Sequence, residues 1–281
     1  MTAVDIVVRD IDGQAEMRAV EELQKEVWGV PDLDVVPLTQ FVAAKASGGV
    51  VIGAFDRALL AGFAYGFVGY EEGRVTHHSH MLAVRPGYRS FNIGYLLKLA
   101  QRERVLEKGI ERMTWTFDPL QSVNAYLNFG KLGVVSNKYF VNFYGDDAAS
   151  FLHRNGTDRL WVTWLLTSRH VRERLDGPLP SFEMGNVSLL VELGTDRAPL
   201  RRRLNEGSSN EQAVIEIPGD INDVGQNSSE IASQWREATR GAFTEAFAAG
   251  YLVEAFHRGN RGDQRVGRYL LNRGETPGDT E

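Results

Sequence analysis

The chain contains no cysteine. That absence excludes disulfide staples, a thiolate nucleophile and the sulfur-ligated zinc sites that cysteine spacing would otherwise announce. Positive charge is not in excess either. Lys and Arg total 31 against 37 Asp and Glu, a formal net charge of −6, and no long basic block interrupts the mixture of signs. A nucleic-acid partner, which would need a phosphate-matching electrostatic footprint, is not expected. Long apolar runs are also missing, so no stretch reads as a membrane span and no membrane partner is expected. Met1 to Asp10 is short and charged, without the basic leader and apolar stretch of a secretory signal. The expectation is a soluble, cytoplasmic protein, in which the N-x-S/T triplets at Asn155, Asn186 and Asn227 would never meet a glycosylation enzyme. Neither a repeat of fixed period nor a low-complexity tract is visible.

What is present suits a sizeable core. The 281 residues are 43% hydrophobic, enough for one large α/β domain or an ordinary one with a smaller appendage. Asp5 to Asp10 reads as a strand, and Ala15 to Trp28 spaces Met17, Val20, Leu23 and Val27 at helical intervals. Phe41 to Ala46 suggests a second helix, stopped by Gly48-Gly49. Val50 to Phe55 and Leu59 to Val68, divided by Asp56-Arg57, predict an antiparallel hairpin. Its glycines, Gly53, Gly62, Gly66 and Gly69, leave room for something to approach. Thr76 to Val84 is a further strand, and Arg85-Pro86-Gly87 leads to a helix with Ile93, Leu96, Leu97 and Ala100 on its buried face. Met113 to Phe117, Val134 to Tyr144 and Leu160 to Thr167 are strands, and Ser122 to Leu132 is a short helix closed by Gly133. This alternation predicts an α/β fold with a mixed sheet.

After about Ser168 the texture changes. Gly177-Pro178, Pro180 and the polar stretch from Asn205 to Gln212 read as linkers around strands at Ser188 to Leu193 and Ala213 to Ile217. A helix follows, with Asn227 as N-cap, Glu230 three residues on, a stripe of Ile231, Trp235, Ala242, Phe243 and Phe247, and Gly250 as stop. Trp235 and Phe243 are expected in the core. Tyr251 to Phe256 and Arg268 to Leu271 would close this unit. The division expected is 1–167, then a smaller α/β extension over 168–273, then a disordered tail over 274–281.

The chemistry is concentrated in Leu82-Ala83-Val84-Arg85-Pro86-Gly87-Tyr88-Arg89-Ser90-Phe91-Asn92-Ile93-Gly94-Tyr95-Leu96-Leu97, a strand passing through a tight loop straight into a helix. Such a loop gathers backbone N–H groups, and the helix dipole adds partial positive charge, so a pyrophosphate can bind with few cationic side chains. Arg89 can assist by direct pairing.

These residues resemble a known family. Val84, Pro86, Tyr88-Arg89, Asn92-Ile93-Gly94 and Leu96-Leu97 look like motif A of the GNAT acyltransferases, whose loop reads Q/R-x-x-G-x-G/A. Asn124-Ala125 with Lys131-Leu132-Gly133 is similar to that family's motif B helix, and Val51-Ile52-Gly53-Ala54 with Leu60-Ala61-Gly62-Phe63 to its preceding hairpin. The resemblance covers roughly the first 165 residues. It implies an acetyl-CoA or other acyl-CoA co-substrate, no metal, and direct transfer of the acyl group to the amine of a small molecule, an amino acid being one option; a homodimer is left open.

In the family the fourth and fifth strands part to admit the pantetheine arm, which pairs with the fourth strand as an extra strand would. The resemblance therefore implies that Leu82, Ala83 and Val84 line the arm, with a backbone N–H near Met81 or Leu82 polarising the thioester carbonyl. It places Arg89, Ser90, Phe91, Asn92, Ile93, Gly94 and Tyr95 around the pyrophosphate, and Asn124, Phe129 and Lys131 along the motif B side. Two departures stand out. Asn92 replaces the first motif glycine, although Asn tolerates positive φ better than most residues. Phe129 replaces a tyrosine that often protonates the leaving thiolate, and Tyr126, three residues earlier on the same helical face, is the candidate substitute.

The base that takes the amine's proton is sought among His78 and His80, which alternation puts on one strand face, and Asp118, which closes the fifth strand. His80, Asp118 and Tyr126 are the catalytic candidates. Plainer readings stand beside them. The histidines at 77, 78 and 80 read more readily as strand-end residues on a solvated face; Asp118-Pro119 reads also as a turn, Asn124 as a helix cap, and Arg201-Arg202-Arg203 as a solvated patch. Two other functions compete: an acyl-CoA-binding sensor that has lost the chemistry, and a protein-lysine acetyltransferase.

Overall fold

Three β-branched or aromatic runs separated by two-residue turns are enough to build the first sheet. The computed structural model describes residues 5–145, 155–177, 187–204 and 211–274. Asn186 of its triplet, Pro178, Pro180 and residues 205–210 of the expected linkers, and the tail after Gly274 lie outside the described residues. The chain divides into two compact units, one ending at Trp115 and the other taking the described residues from Thr116 onward.

The first unit runs β1 (Ile6–Asp10), α1 (Gly13–Trp28), α2 (Leu38–Ala46), β2 (Val50–Asp56), β3 (Leu59–Glu71), β4 (Arg74–Val84), α3 (Ile93–Leu106) and the start of β5 (Arg112–Phe117). The strands lie in chain order, antiparallel from β1 to β4, with β4 and β5 parallel. Alternation along β3 sorts its side chains onto two faces. Phe63 and Tyr65, with Val51, Phe55 and Ala83, pack against Met17, Val20 and Leu23 of α1 and Phe41 and Ala44 of α2. The full burial of Phe63, each such side chain worth about 1.5–3 kcal/mol relative to exposure, anchors this layer. The amphipathic stripe read along α1 is the stripe buried, and Gly29, at φ 62, ends the helix with its N–H on Lys25 O at 2.8 Å.

The opposite face of the sheet receives α3, and there Gly62 and Gly66 find their use. They make room for the chain's own groups, not for an incoming molecule. A Cβ on Gly62 would stand 2.8 Å from Ala83 O and 3.1 Å from Ile93, and one on Gly66 would collide with the His77 imidazole and lie 2.7 Å from His78 O. A Cβ on Gly53 would meet Leu60 and Phe55 side chains, and one on Gly69 would meet Thr76.

The second unit continues with α4 (Ser122–Ala125), a π-helical turn (Tyr126–Leu132), β6 (Val135–Phe140), β7 (Arg159–Leu165), α5 (Arg169–Asp176), β8 (Ser188–Leu193), β9 (Pro199–Arg201), β10 (Gln212–Pro218), α6 (Ile221–Asn227), α7 (Ser229–Ala248), β11 (Tyr251–Arg261) and β12 (Gln264–Arg273). Its strands run in the order β7-β6-β11-β12-β10-β8-β9. Trp235 and Phe243 of α7 are fully buried, as expected, and Phe243 meets Tyr269 edge-on at 5.1 Å. The buried carboxylate of Asp158 is satisfied by four donors: Tyr139 Oη at 2.7 Å, Asn142 N–H at 3.0 Å and a bidentate Arg240 at 2.8 and 3.0 Å. Those partners lower its pKa against the desolvation that raises it.

Several boundaries differ from expectation for local reasons. The cap of α7 is Ser228, whose Oγ accepts from Ile231 N–H at 3.2 Å, because Asn227 is the last residue of α6 and turns its amide onto Asp223 O. β6 stops at Phe140, since Asn142, at φ 49, enters a left-handed turn. The Ser122 to Leu132 helix is one α-turn followed by the π-turn, closed as expected by Gly133 at φ 71.

Replacing Gly66 by Ala should cost about 1–3 kcal/mol, because the new methyl faces a backbone carbonyl that cannot retreat; urea unfolding of the variant against the parent measures it.

Candidate active site

β4 is bonded along one edge and released along the other. On the β3 side the ladder runs from Arg74 to Val84 with one irregularity: Tyr65 opposes Met81 and Gly66 opposes Ser79, so His80 is the extra residue of a β-bulge. On the β5 side the ladder consists of His77↔Met113 and His78↔Thr114. β4 then continues for six residues to Val84, and among the described residues this edge, from Ser79 on, has no strand partner. Leu82, Ala83 and Val84 all lie in this released stretch.

At its end the chain turns. Arg85 N–H is held by Ala61 O at 2.9 Å, Arg85 Nε donates to Leu60 O at 2.8 Å, and its guanidinium pairs with Glu26. Tyr88 N–H closes back on Arg85 O, and the Tyr88 hydroxyl donates to Asp56 at 2.8 Å, pinning the turn to the sheet. Residues 86–91 form a 3₁₀ turn and Asn92 follows with φ 58 and ψ 20. The left-handed conformation that a motif glycine would supply is therefore present with an asparagine. Asn92 is also the N-cap of α3, its carbonyl accepting from Tyr95 and Leu96 N–H, so Ile93 and Gly94 contribute the leading amides of the helix. Arg89, Ser90, Phe91 and Asn92 are exposed.

The two faces of β4 carry different chemistry. His78 and His80 share the face lined by Phe67 and Tyr65: the His80 ring lies 5.7 Å from Phe67 and 6.0 Å edge-on from Tyr65, and the two imidazoles are 6.3 Å apart. His78 Nδ1 is 3.1 Å from Thr114 Oγ1. His80 is exposed as a residue, yet the surrounding rings desolvate it and lower its pKa. Desolvation, with repulsion from His80 and Lys98, takes His78 down to about 4. No group of three or more His, Cys, Asp or Glu gathers among the described residues, so the pair has no third metal-ligating neighbour there.

The other face is buried. His77 is fully enclosed, its Nε2 3.3 Å from Gln101 Nε2, and desolvation first and the charge of Lys98 second take its pKa to about 3. Ser79 Oγ donates to Gln101 Oε1 at 2.8 Å and accepts from Lys98 Nζ at 2.8 Å. Sequence reasoning passed over Lys98 and Gln101 because they sit inside a charged helical stretch that reads as surface; only their pairing with Ser79 across the sheet reveals them.

The remaining expected residues lie in the second unit. Asp118 is buried, ion-paired to Arg236 at 2.8 Å, and accepts from Leu120 N–H at 3.0 Å, which is the turn reading of Asp118-Pro119. Phe129 is fully buried against Phe117 and Tyr269, at 6.1 and 5.7 Å between centroids, and is a core residue. Tyr126 does not share its face. In a π-turn the i→i+5 bonding replaces i→i+4, so a three-residue spacing no longer stacks side chains. The Tyr126 ring lies under the Arg258 guanidinium at 4.2 Å, with Lys131 Nζ 6.0 Å away. Asn124 is exposed within α4, and the cap position belongs to Gln121. Of the arginine triplet, Arg201 pairs with Glu245 at 3.0 Å and Arg202 with Glu192.

No protein-family model matches the chain, and no curated protein matches it. Solved structures do. The chain is similar to the ribosomal-protein-S18-alanine N-acetyltransferase of Escherichia coli, at 13% identity over 58% of this chain and 94% of that one, with a TM-score of 0.46. It is similar to an aminoglycoside 6'-acetyltransferase type Ii, at 19% identity over 59% of this chain and 99% of that one, TM-score 0.46. A GNAT-family acetyltransferase of Streptococcus pneumoniae, 15% identical over 57% of this chain and 98% of that one, gives the same score. Likeness at this level decides neither substrate nor site residues.

The buried imidazoles predict a pH dependence. His77 and His78 are held neutral in the folded state, with pKa values of about 3 and 4, whereas in the unfolded chain they titrate near ~6.5. The unfolded state therefore binds more protons below that value, and stability present above pH ~6.5 is lost as the pH falls toward 4. Urea midpoints at pH 7 and 4.5 should drop further for the parent than for His77→Gln.

Proposed function

We propose that this chain is an acyl-CoA-dependent N-acyltransferase of GNAT type. It takes an acetyl or other short acyl group to the amine of a small molecule. The observation that carries the reading is the one-sided release of β4: a strand edge that among the described residues is unpaired from Ser79 to Val84 and runs directly into a turn with left-handed Asn92 and the N-terminus of α3. An open edge can pair with the amide-bearing pantetheine arm as it would with another strand. The turn and leading helix amides can hold a pyrophosphate. The two sites in sequence match the pantetheine arm and the adjoining diphosphate of one coenzyme.

In this reading Leu82, Ala83 and Val84 pair with the arm through their backbone, and residues 89–95 cradle the diphosphate, with Arg89 as an exposed cation at its rim. The bulge at His80 changes the direction of the backbone where the edge becomes free, which suits an amide that must point at a thioester oxygen. Transfer is direct: the acceptor nitrogen bonds to the acyl carbon, the carbon–sulfur bond breaks, and the thiolate leaves. The nitrogen must lose a proton, and we assign its acceptance to His80, the exposed imidazole of the pair, desolvated and so held in the neutral form a base requires. Asp118 and Phe129 we assign to structure, the one as turn and ion-pair partner, the other as core. Tyr126 keeps its role as proton donor by resemblance alone, as Asn124 and Lys131 keep theirs along motif B. The catalytic domain proposed is 1–167, with 168–273 as an extension, in a cytoplasmic protein.

Calorimetry with coenzyme A and thiol release from acetyl-CoA over a panel of amines test the reading. Heat on binding and turnover with at least one amine are expected; binding without turnover would mark a sensor, and no heat together with no thermal shift at millimolar CoA rules the reading out. Asn92→Gly should bind CoA as the parent does, while Asn92→Val, which resists φ 58, should lose at least about tenfold. His80→Gln should lower kcat by about 10²- to 10⁴-fold with CoA affinity retained.

A further inference from the structure

We infer that Lys98 is a positioning residue that props open the fork between β4 and β5 on the face covered by α3, and so governs entry of the pantetheine arm. The inference rests on the acyl-CoA reading. Ser79 and Trp115 are the first residues of the two strands beyond the last ladder pair, His78↔Thr114. Were the ladder to continue, strands here would close to the ordinary spacing of about 4.8 Å. Lys98 reaches both sides of this point from α3. Its Nζ donates to Ser79 Oγ at 2.8 Å and lies 3.5 Å from the centroid of the Trp115 ring.

The placement makes little sense as stabilisation. Lys98 is 3% exposed, and among the described residues no carboxylate pairs with it. Its one hydrogen bond and its ring contact are set against the loss of an amine's hydration, and burial drives it toward the neutral form. A methionine would fill the same volume without that cost. What the amine adds is direction. It ties the far end of a long stem to Ser79, and Ser79 is tied in turn to Gln101, which reaches His77 inside the ladder. The chain Lys98, Ser79, Gln101, His77 thus grips β4 on both sides of the point where β5 leaves it, and fixes where the fork begins. A group kept in place at a cost to stability, beside the edge where a ligand must enter, is the pattern expected of a functional constraint.

Lys98→Met in the full-length chain separates the two roles. The variant is expected to melt at the parent's temperature or above, while its affinity for coenzyme A by calorimetry falls at least about tenfold and the KM for the acceptor amine stays within about twofold of the parent's. Ser79→Ala, which leaves the lysine but removes its anchor, should show the same loss of CoA affinity, and it decides the matter if Lys98→Met does not fold. CoA affinity unchanged in the variant that folds, or lost only in step with a lowered melting temperature, overturns the inference. A parent chain that binds no CoA overturns the acyl-CoA reading and this inference together; a parent that binds, with variants that bind equally well, overturns the inference alone.

Discussion

A strand has two rows of hydrogen-bonding groups, and each row must be satisfied or left to solvent or a ligand. β4 satisfies one row against β3 from Arg74 to Val84, save for the bulge at His80, and among the described residues gives the other to β5 at His77 and His78 alone. The consequences are visible on every side of it. Because β3 must hold β4 alone beyond His78, it is long, continuous and packed on the α1–α2 layer through Phe63 and Tyr65. Because α3 must lie close to the sheet, Gly62 and Gly66 carry no side chain. And because the turn after Val84 must not drift, Arg85 and Tyr88 are fastened to Leu60 and Asp56.

The second unit handles its polar groups differently. Its buried carboxylates are saturated by arginines: Asp158 by Arg240, Asp118 by Arg236, and Glu216 by Arg261 and Arg268 at 2.7 and 2.8 Å. A buried pair of this kind is costly to break and adds little by existing. It does, however, fix which strand lies beside which, since Glu216 on β10 opposes Arg268 on β12 in register. Specific pairing is a sensible device for short strands whose apolar content alone leaves register loose.

Most elements were legible in the sequence because their periods are strong. The stripe of α1, the hairpin of β2 and β3, and the run from β4 through the turn into α3 all follow from spacing and from Gly, Pro and Asn at the breaks. The left-handed Asn92 was legible too, since asparagine is the residue that best stands in for glycine there. What escaped depends on partners distant in the chain. Asn227 and Ser228 are both good caps, and only the existence of α6, a short helix with weak periodicity, makes the second one correct. The π-turn at Tyr126–Leu132 leaves no mark on a periodicity count, yet it separates Tyr126 from Phe129 and sends the latter into the core. The hairpin glycines announced a close approach truthfully, but a sequence does not say what approaches.

The polar residues around the released edge share one property. His77, His78, His80 and Lys98 all have pKa values lowered, and in each the leading cause is desolvation, not a partner charge. Glu16, Asp158 and Glu173, elsewhere in the chain, are stabilised in their charged form by hydrogen-bonded partners; here basic groups are stabilised in their uncharged form. For the proposed acyl transfer to an amine it has a use. A neutral imidazole can accept a proton. The same region would serve poorly for holding phosphates, and the amides that suit phosphates lie instead at the other end of the edge, around Asn92. Under the proposed function, the two ends of β4 would thus separate the two electrostatic demands of one reaction, one by burial and one by backbone dipoles.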